Sequence, residues 1–159
     1  MATLSALRRI LVPVDFSAPS KAALAVAGEM AQAFGAKIDL VHAIDVPSYA
    51  PPGQPLVIAS PASQPLETYL LTRAGNDMAD FRKELPEATQ QHVDRIILEV
   101  GLPTERILDL VESGDYQLIV MGTLGRTGLK RLMLGSVAER VLRHSSCPVL
   151  TVKAPEADD

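Results

Sequence analysis

The stretch "RRILVPVDFSAPSKAALAVAGEMAQAFGAKIDLVHAI", Arg8 to Ile44, sets two aliphatic runs on either side of one amphipathic segment. "RRILVPVD" (8–15) is short, aliphatic and ended by Asp15, and it reads as a buried strand. "KIDLVHAI" (37–44) reads as a second strand. Between them, Ser17 or Ser20 can cap a helix that Gly35 can end. Its expected apolar face is Ala22, Ala23, Val26, Ala27, Met30, Ala31 and Phe34. Strand, helix and strand with short connections predict a parallel βαβ unit.

Downstream, the alternation continues after one interruption. "DVPSYAPPGQPLVIASPASQP" (45–65) carries six of the chain's twelve prolines, so it is neither helix nor inner strand but a long loop. A helix is expected over 66–85, with Leu70, Met78 and Phe81 among its buried residues. "VDRIILEVG" (93–101) is a third strand, and "PTERILDLVESG" a capped helix with Thr104 near its start and Gly114 at its end. "QLIVMG" is a fourth strand, Ser136 to His144 a helix, and "PVLTVK" (148–153) a fifth strand.

Five strands alternating with four helices predict an α/β fold. The expected form is an open, doubly wound, five-stranded parallel sheet with helices on both faces. With the first and fourth strands adjacent, the order is 3-2-1-4-5. Ligands in such sheets bind at the carboxyl ends of the strands where the order switches. "PVDFS" and "MGTLGRTG" converge there.

Composition narrows the class. The 159 residues, 47% of them hydrophobic, suit one domain over 1–154, followed by an acidic tail at 155–159. A net charge of -4 is not the basic footprint of a nucleic-acid binder. No run reaches the ~18 apolar residues of a membrane span, and "MATLSALRRI" does not read as a signal peptide, so a cytoplasmic protein is expected. The lone Cys147 forms no intrachain disulfide and reads as a core thiol. His92 and His144 lie apart from each other and from Cys147, with no metal-ligand spacing, and His42 reads as a core or supporting histidine rather than a catalyst.

The stretch "MGTLGRTGLKRLMLGS", Met121 to Ser136, lies between the fourth strand and the last helix. It matches neither G-x-G-x-x-G nor G-x-x-x-x-G-K-[ST] nor G-x-S-x-G. It has Gly122, then Gly125 after two residues, then Gly135 after nine, followed by Ser136. Gly122 and Gly125 leave the strand without Cβ atoms, so backbone and ligand can come close. Gly135 and Ser136 open a helix whose free N–H groups and dipole favour phosphate. The residues between would arch over the site with Arg126, Lys130 and Arg131.

With this spacing, the chain resembles the universal stress proteins, whose nucleotide-binding members carry G-2x-G-9x-G-[ST]. "ILVPVDFS", "LVHAID", "LIVMGTLGRTG" and "GSVAERVLRHSSCPVLTVK" carry the resemblance further, over nearly the whole chain outside the proline-rich loop and tail. It implies a Rossmann-like, adenine nucleotide alpha hydrolase-like fold. It implies that Pro13, Val14 and Asp15 form the adenine and ribose side of a pocket, and that the backbone at Ala43 meets the adenine. Met121 and Gly122 would line sugar and base. Gly125, Arg126, Gly135, Ser136 and Val137 would cradle phosphates. The implied ligand is ATP, with ADP or another adenine nucleotide as alternatives. Mg²⁺ or Mn²⁺ would be held mainly by the phosphates rather than by a protein metal site. The implied role is a nucleotide-dependent regulator in the stress response with an unknown protein partner, forming a homodimer through the fifth strand.

Two other readings stand beside it. One is a slow ATPase or self-phosphorylating enzyme. Hydrolysis needs a group to activate water, and Asp15 is the one carboxylate the sequence places near the site, where the resemblance assigns it to the base side. The other is a dimeric scaffold with no working nucleotide site. No catalytic residue is assigned.

Overall fold

The computed structural model describes residues 7–45, 65–123 and 134–155. The expectations for the loop at 46–64, for Gly125, Arg126, Lys130 and Arg131, and for the tail beyond 155 lie outside these residues. The chain runs β1 (Arg9–Pro13), α1 (Ala18–Phe34), β2 (Lys37–Ile44), α2 (Leu66–Lys83), α3 (Glu87–Gln90) and β3 (Val93–Val100). It continues through α4 (Pro103–Ser113), β4 (Leu118–Gly122), α5 (Ser136–His144) and β5 (Val149–Val152). The sheet is parallel throughout, in the order β3-β2-β1-β4-β5, as the sequence predicts.

β1 is central, with Val12 beside Leu40 of β2 and Leu11 beside Ile119 of β4. Successive side chains of a strand point to opposite faces, so β1 feeds two cores. Ile10, Val12, Ile38, Leu40, Leu118 and Val120 meet Ala23, Leu24 and Ala27 of α1 and Met78 and Phe81 of α2. On the other face, Leu11, Val41, Ile119 and Met121 meet Ile107 and Val111 of α4 and Ala138 and Val141 of α5. The Cys147 thiol is buried in this second cluster, and that burial pushes its pKa up. Among the described residues, no helix is long and apolar enough to cross a membrane.

Three local expectations are corrected. The buried stripe of α1 is Ser20, Ala23, Leu24, Ala27, Gly28 and Ala31, while Phe34 is 45% exposed. The last turn of α1 runs past Ala31 and stops at Gly35, whose φ of 68° needs the freedom of glycine. Thr104 does not cap α4: the cap position is Leu102, with no side-chain hydrogen bond, and Pro103 starts the helix. Proline lacks the N–H that the first turn would leave unpaired, so no side-chain cap is needed at that position. Finally, four residues after Pro86 form α3, a fifth helix too short to show a periodic signal. Ser17 does cap α1, its hydroxyl accepting from the Ser20 N–H at 3.3 Å.

One buried charge organises the amino-terminal half of the sheet. Asp39 of β2 has no exposed side-chain surface. Its carboxylate accepts from Arg9 at 2.8 and 2.9 Å, from Arg95 at 3.0 and 2.6 Å, and from the Tyr116 hydroxyl at 2.8 Å. A buried charge is tolerated when its lone pairs are filled this way. Burial, and then donation to Asp39, push the Tyr116 hydroxyl up to about 12. Charged residues inside an aliphatic strand signal such a network, but its partners come from β1, β3 and the segment before β4, which sequence periodicity does not bring together.

Candidate functional site

At the carboxyl ends of β1, β2 and β4 lies a crevice of about 710 Å³. It sits where the strand order switches. Pro13, Val14, Asp15, Ala43, Met121, Gly122, Gly135, Ser136 and Val137 all line it. These are the nine sequence-selected residues that the structure describes, and it brings them together.

The strand 1 side is braced from behind. The Val14 N–H donates to Val41 O at 2.8 Å, and His42 Nδ1 donates to Val14 O at 2.7 Å. His42 thus holds the backbone at the crevice floor. Asp15 accepts from the Ser17 N–H at 3.0 Å and from the Ser17 hydroxyl, which ties the carboxylate to the cap of α1. Between them Phe16 takes a φ of 64°, an uncommon conformation for a bulky side chain. Its ring lies 4.8 Å from the His42 ring and 5.5 Å, edge to face, from Phe81 of α2.

The opposite side is the start of α5. The Gly135 N–H donates to Thr123 O at 2.6 Å, and the Thr123 N–H to Val152 O at 2.9 Å, which pins this end to β5. Among the described residues, no side-chain hydrogen bond caps α5. Its first intrahelical bond runs from the Glu139 N–H to Gly135 O at 2.9 Å. The N–H groups of Ser136, Val137 and Ala138 therefore lack helical acceptors, and all three residues line the crevice. That donor set suits an anion, and it is a backbone feature that a phosphate would match.

Gly122 has a local packing reason beside the expected one. A Cβ there would lie 2.7 Å from the carbonyl carbon and from the Cβ of Pro19, in the first turn of α1. Close strand–helix packing alone requires this glycine. Gly135 has φ −62°, which any residue adopts, so conformation does not explain its identity.

The sequence missed part of the lining. Leu70, Arg73, Ala74 and Asp77 of α2 border the crevice, as do Asp45 after β2 and Pro103 and Ile107 of α4. Leu70 is half-buried at this wall rather than in the core. Asp15 is therefore not the only carboxylate at the site. The spacing of 70, 73, 74 and 77 marks one helix face, but the same spacing serves a core stripe equally well. Among the described residues, no cluster of three or more His, Cys, Asp or Glu side chains is arranged to hold a metal.

Comparison with known proteins gives consistent relatives. The universal stress protein family model matches residues 6–153. A universal stress protein of Methanocaldococcus jannaschii is 35% identical over 151 residues, spanning 95% of this chain and 85% of its own. A second from the same organism is 31% identical over 155 residues, spanning 92% and 94%. The solved structure of that second protein has a TM-score of 0.75 and 30% identity, covering 94% of this chain and 98% of its own. A universal stress protein solved in complex with cAMP has a TM-score of 0.58 and 26% identity, covering 94% and 98%.

Proposed function

The chain belongs to the universal stress protein family, and we propose that it is a regulator whose crevice binds an adenine nucleotide, ATP in the first place. The observation that carries this reading is the placement of Asp15 and the first-turn N–H groups of α5 on the lining of a single crevice at the switch point. Pro13, Val14, Asp15 and Ala43 take the adenine and ribose end. Met121 and Gly122 border the sugar. Gly135, Ser136 and Val137, with Gly125 and Arg126 from the sequence pattern, take the phosphates. Gly135 then owes its identity to close approach of the ligand. Mg²⁺ or Mn²⁺ accompanies the phosphates, which supply most of its ligands. The relative bound to cAMP supports the adenine-nucleotide class.

The residues favour holding a nucleotide over turning it over. Asp15 is committed to Ser17 and stands at the base end, and Asp45 and Asp77 lie with β2 and α2, away from α5. ATP hydrolysis is accordingly slow at most, and the nucleotide acts by its occupancy in a cytoplasmic stress response. Mass spectrometry of the small molecules released when purified protein is denatured tests the reading. An adenine nucleotide is expected; a different bound metabolite in its place contradicts it.

β5 is the proposed homodimer edge. Leu150 of β5 and Leu142 of α5 are 37% and 50% exposed, and an apolar edge strand tends to be covered. Val149 and Val152 each contact a core cluster, so Leu150→Glu is the cleaner probe. It is expected to shift the protein toward monomer in sedimentation; an unchanged dimer would place the interface elsewhere.

A further inference from the structure

The crevice extends past the strands to helix α2, a wall to which the proposed function assigns no role. α2 packs over β2 and β3, α4 packs over β2 from the other face, and α5 stands beside β5. The Pro103–Ile107 turn of α4, which also packs against α5, borders the crevice from that other face, and α2 borders it on the β2 side, away from β5. The β2 side is the base end in the nucleotide reading, on which this inference rests.

Four α2 residues, spaced i, i+3, i+4 and i+7, line that end. Leu70 and Ala74 are apolar, and Ala74 is 6% exposed. Arg73 and Asp77 are polar and more than half exposed, with Nε and Oδ2 3.9 Å apart. Such an exposed pair contributes little to stability, so a ligand can part it at small cost.

We infer that α2 is the base-selecting wall of this crevice, with Arg73 and Asp77 presenting a donor beside an acceptor to the edge of the base. Adenine offers the complement, a ring-nitrogen acceptor beside an amino donor. Guanine offers two acceptors on the corresponding edge, N7 and O6. Arg73 suits either ring nitrogen. The Asp77 carboxylate accepts from the adenine amino group but faces the lone pairs of guanine O6. Leu70 and Ala74, opposite Pro103 and Ile107, supply apolar contact for the faces of the ring. The wall thus selects adenine nucleotides over guanine nucleotides by charge as well as shape.

Calorimetric titration of the full chain with ATP, GTP and inorganic tripolyphosphate tests this, for wild type, Asp77→Asn and Arg73→Gln. The amide of Asp77→Asn can donate to O6. Its ATP-over-GTP preference is expected to fall about tenfold, the scale of one base-edge contact, while tripolyphosphate binding is unchanged. Arg73→Gln is expected to weaken ATP and GTP together, again sparing tripolyphosphate. Both residues are largely solvent-facing, so the variants fold. An ATP-over-GTP preference in Asp77→Asn equal to that of wild type overturns the inference and leaves the nucleotide reading standing. Failure of wild type to bind either ATP or tripolyphosphate overturns both.

Discussion

Ser136→Asp is expected to weaken ATP binding by about a hundredfold or more, because juxtaposed like charges cost several kcal/mol. Ser136 is the first residue of α5, exposed, at the phosphate end of the crevice. A carboxylate there repels the phosphates. It can also fold back onto the N–H groups of α5 that the phosphates would use. The same carboxylate favours the helix: an acidic side chain in the first turn stabilises by about 0.3–1 kcal/mol through the dipole. Affinity and stability should therefore move in opposite directions, which no general loss of structure does. Ser136→Asn, polar but uncharged, should lose far less affinity. Gly122→Ala is a poor substitute for this test. Its clash with Pro19 would disturb α1 and β4 whether or not a nucleotide binds.

Asp39→Ala should destabilise the fold by about 3 kcal/mol, the lower end of the range for breaking a buried ion pair. Its loss leaves Arg9 and Arg95 with like charges on one site and removes the acceptor of the Tyr116 hydroxyl. The cost stays near the lower end because the Arg95 side chain is 55% exposed, and Arg9 keeps Asp94 at 2.9 Å. The pH dependence has a defined sign. Burial alone would raise the Asp39 carboxyl, but hydrogen bonds from Arg95, Tyr116 and Arg9 outweigh it and hold it below its ordinary 3.8. The contribution is fully present above the unfolded value and is lost as pH falls through the lower folded one. Denaturant melts should show wild type and Asp39→Ala far apart at neutral pH and converging below about pH 4. An equal gap at all pH values would contradict the role of the carboxylate. Asp39 lies toward the amino ends of the strands, away from the crevice, so nucleotide affinity of the folded variant should be unchanged.

The sheet order and the crevice floor are legible in the sequence for the same reason. Aliphatic runs such as "ILVPV" and "QLIVMG" mark strands buried on both faces, and the residues that end them fall at the switch point. What is not legible depends on how separate elements meet. The hydrogen bonds of Asp39 reach a residue 77 positions away. The α2 wall depends on how Met78 and Phe81 seat that helix in the first core, which turns Leu70 and Arg73 toward the crevice. The packing reason for Gly122 depends on Pro19, more than a hundred residues earlier. The left-handed turn at Phe16 lies between two recognisable signals, the end of a strand and the cap at Ser17, and a bulky residue gives no hint of it.

The central claim is that a nucleotide's phosphates sit at the start of α5 while its base lies toward β2. Calorimetric titration of ligand-stripped full-length protein with Mg·ATP, run beside Ser136→Asp, tests it most directly. Wild type should bind saturably at one site per chain, and Ser136→Asp should show no saturable binding in the same range while melting no lower than wild type. Absence of saturable binding by wild type, or equal affinity in the two proteins, would contradict the account.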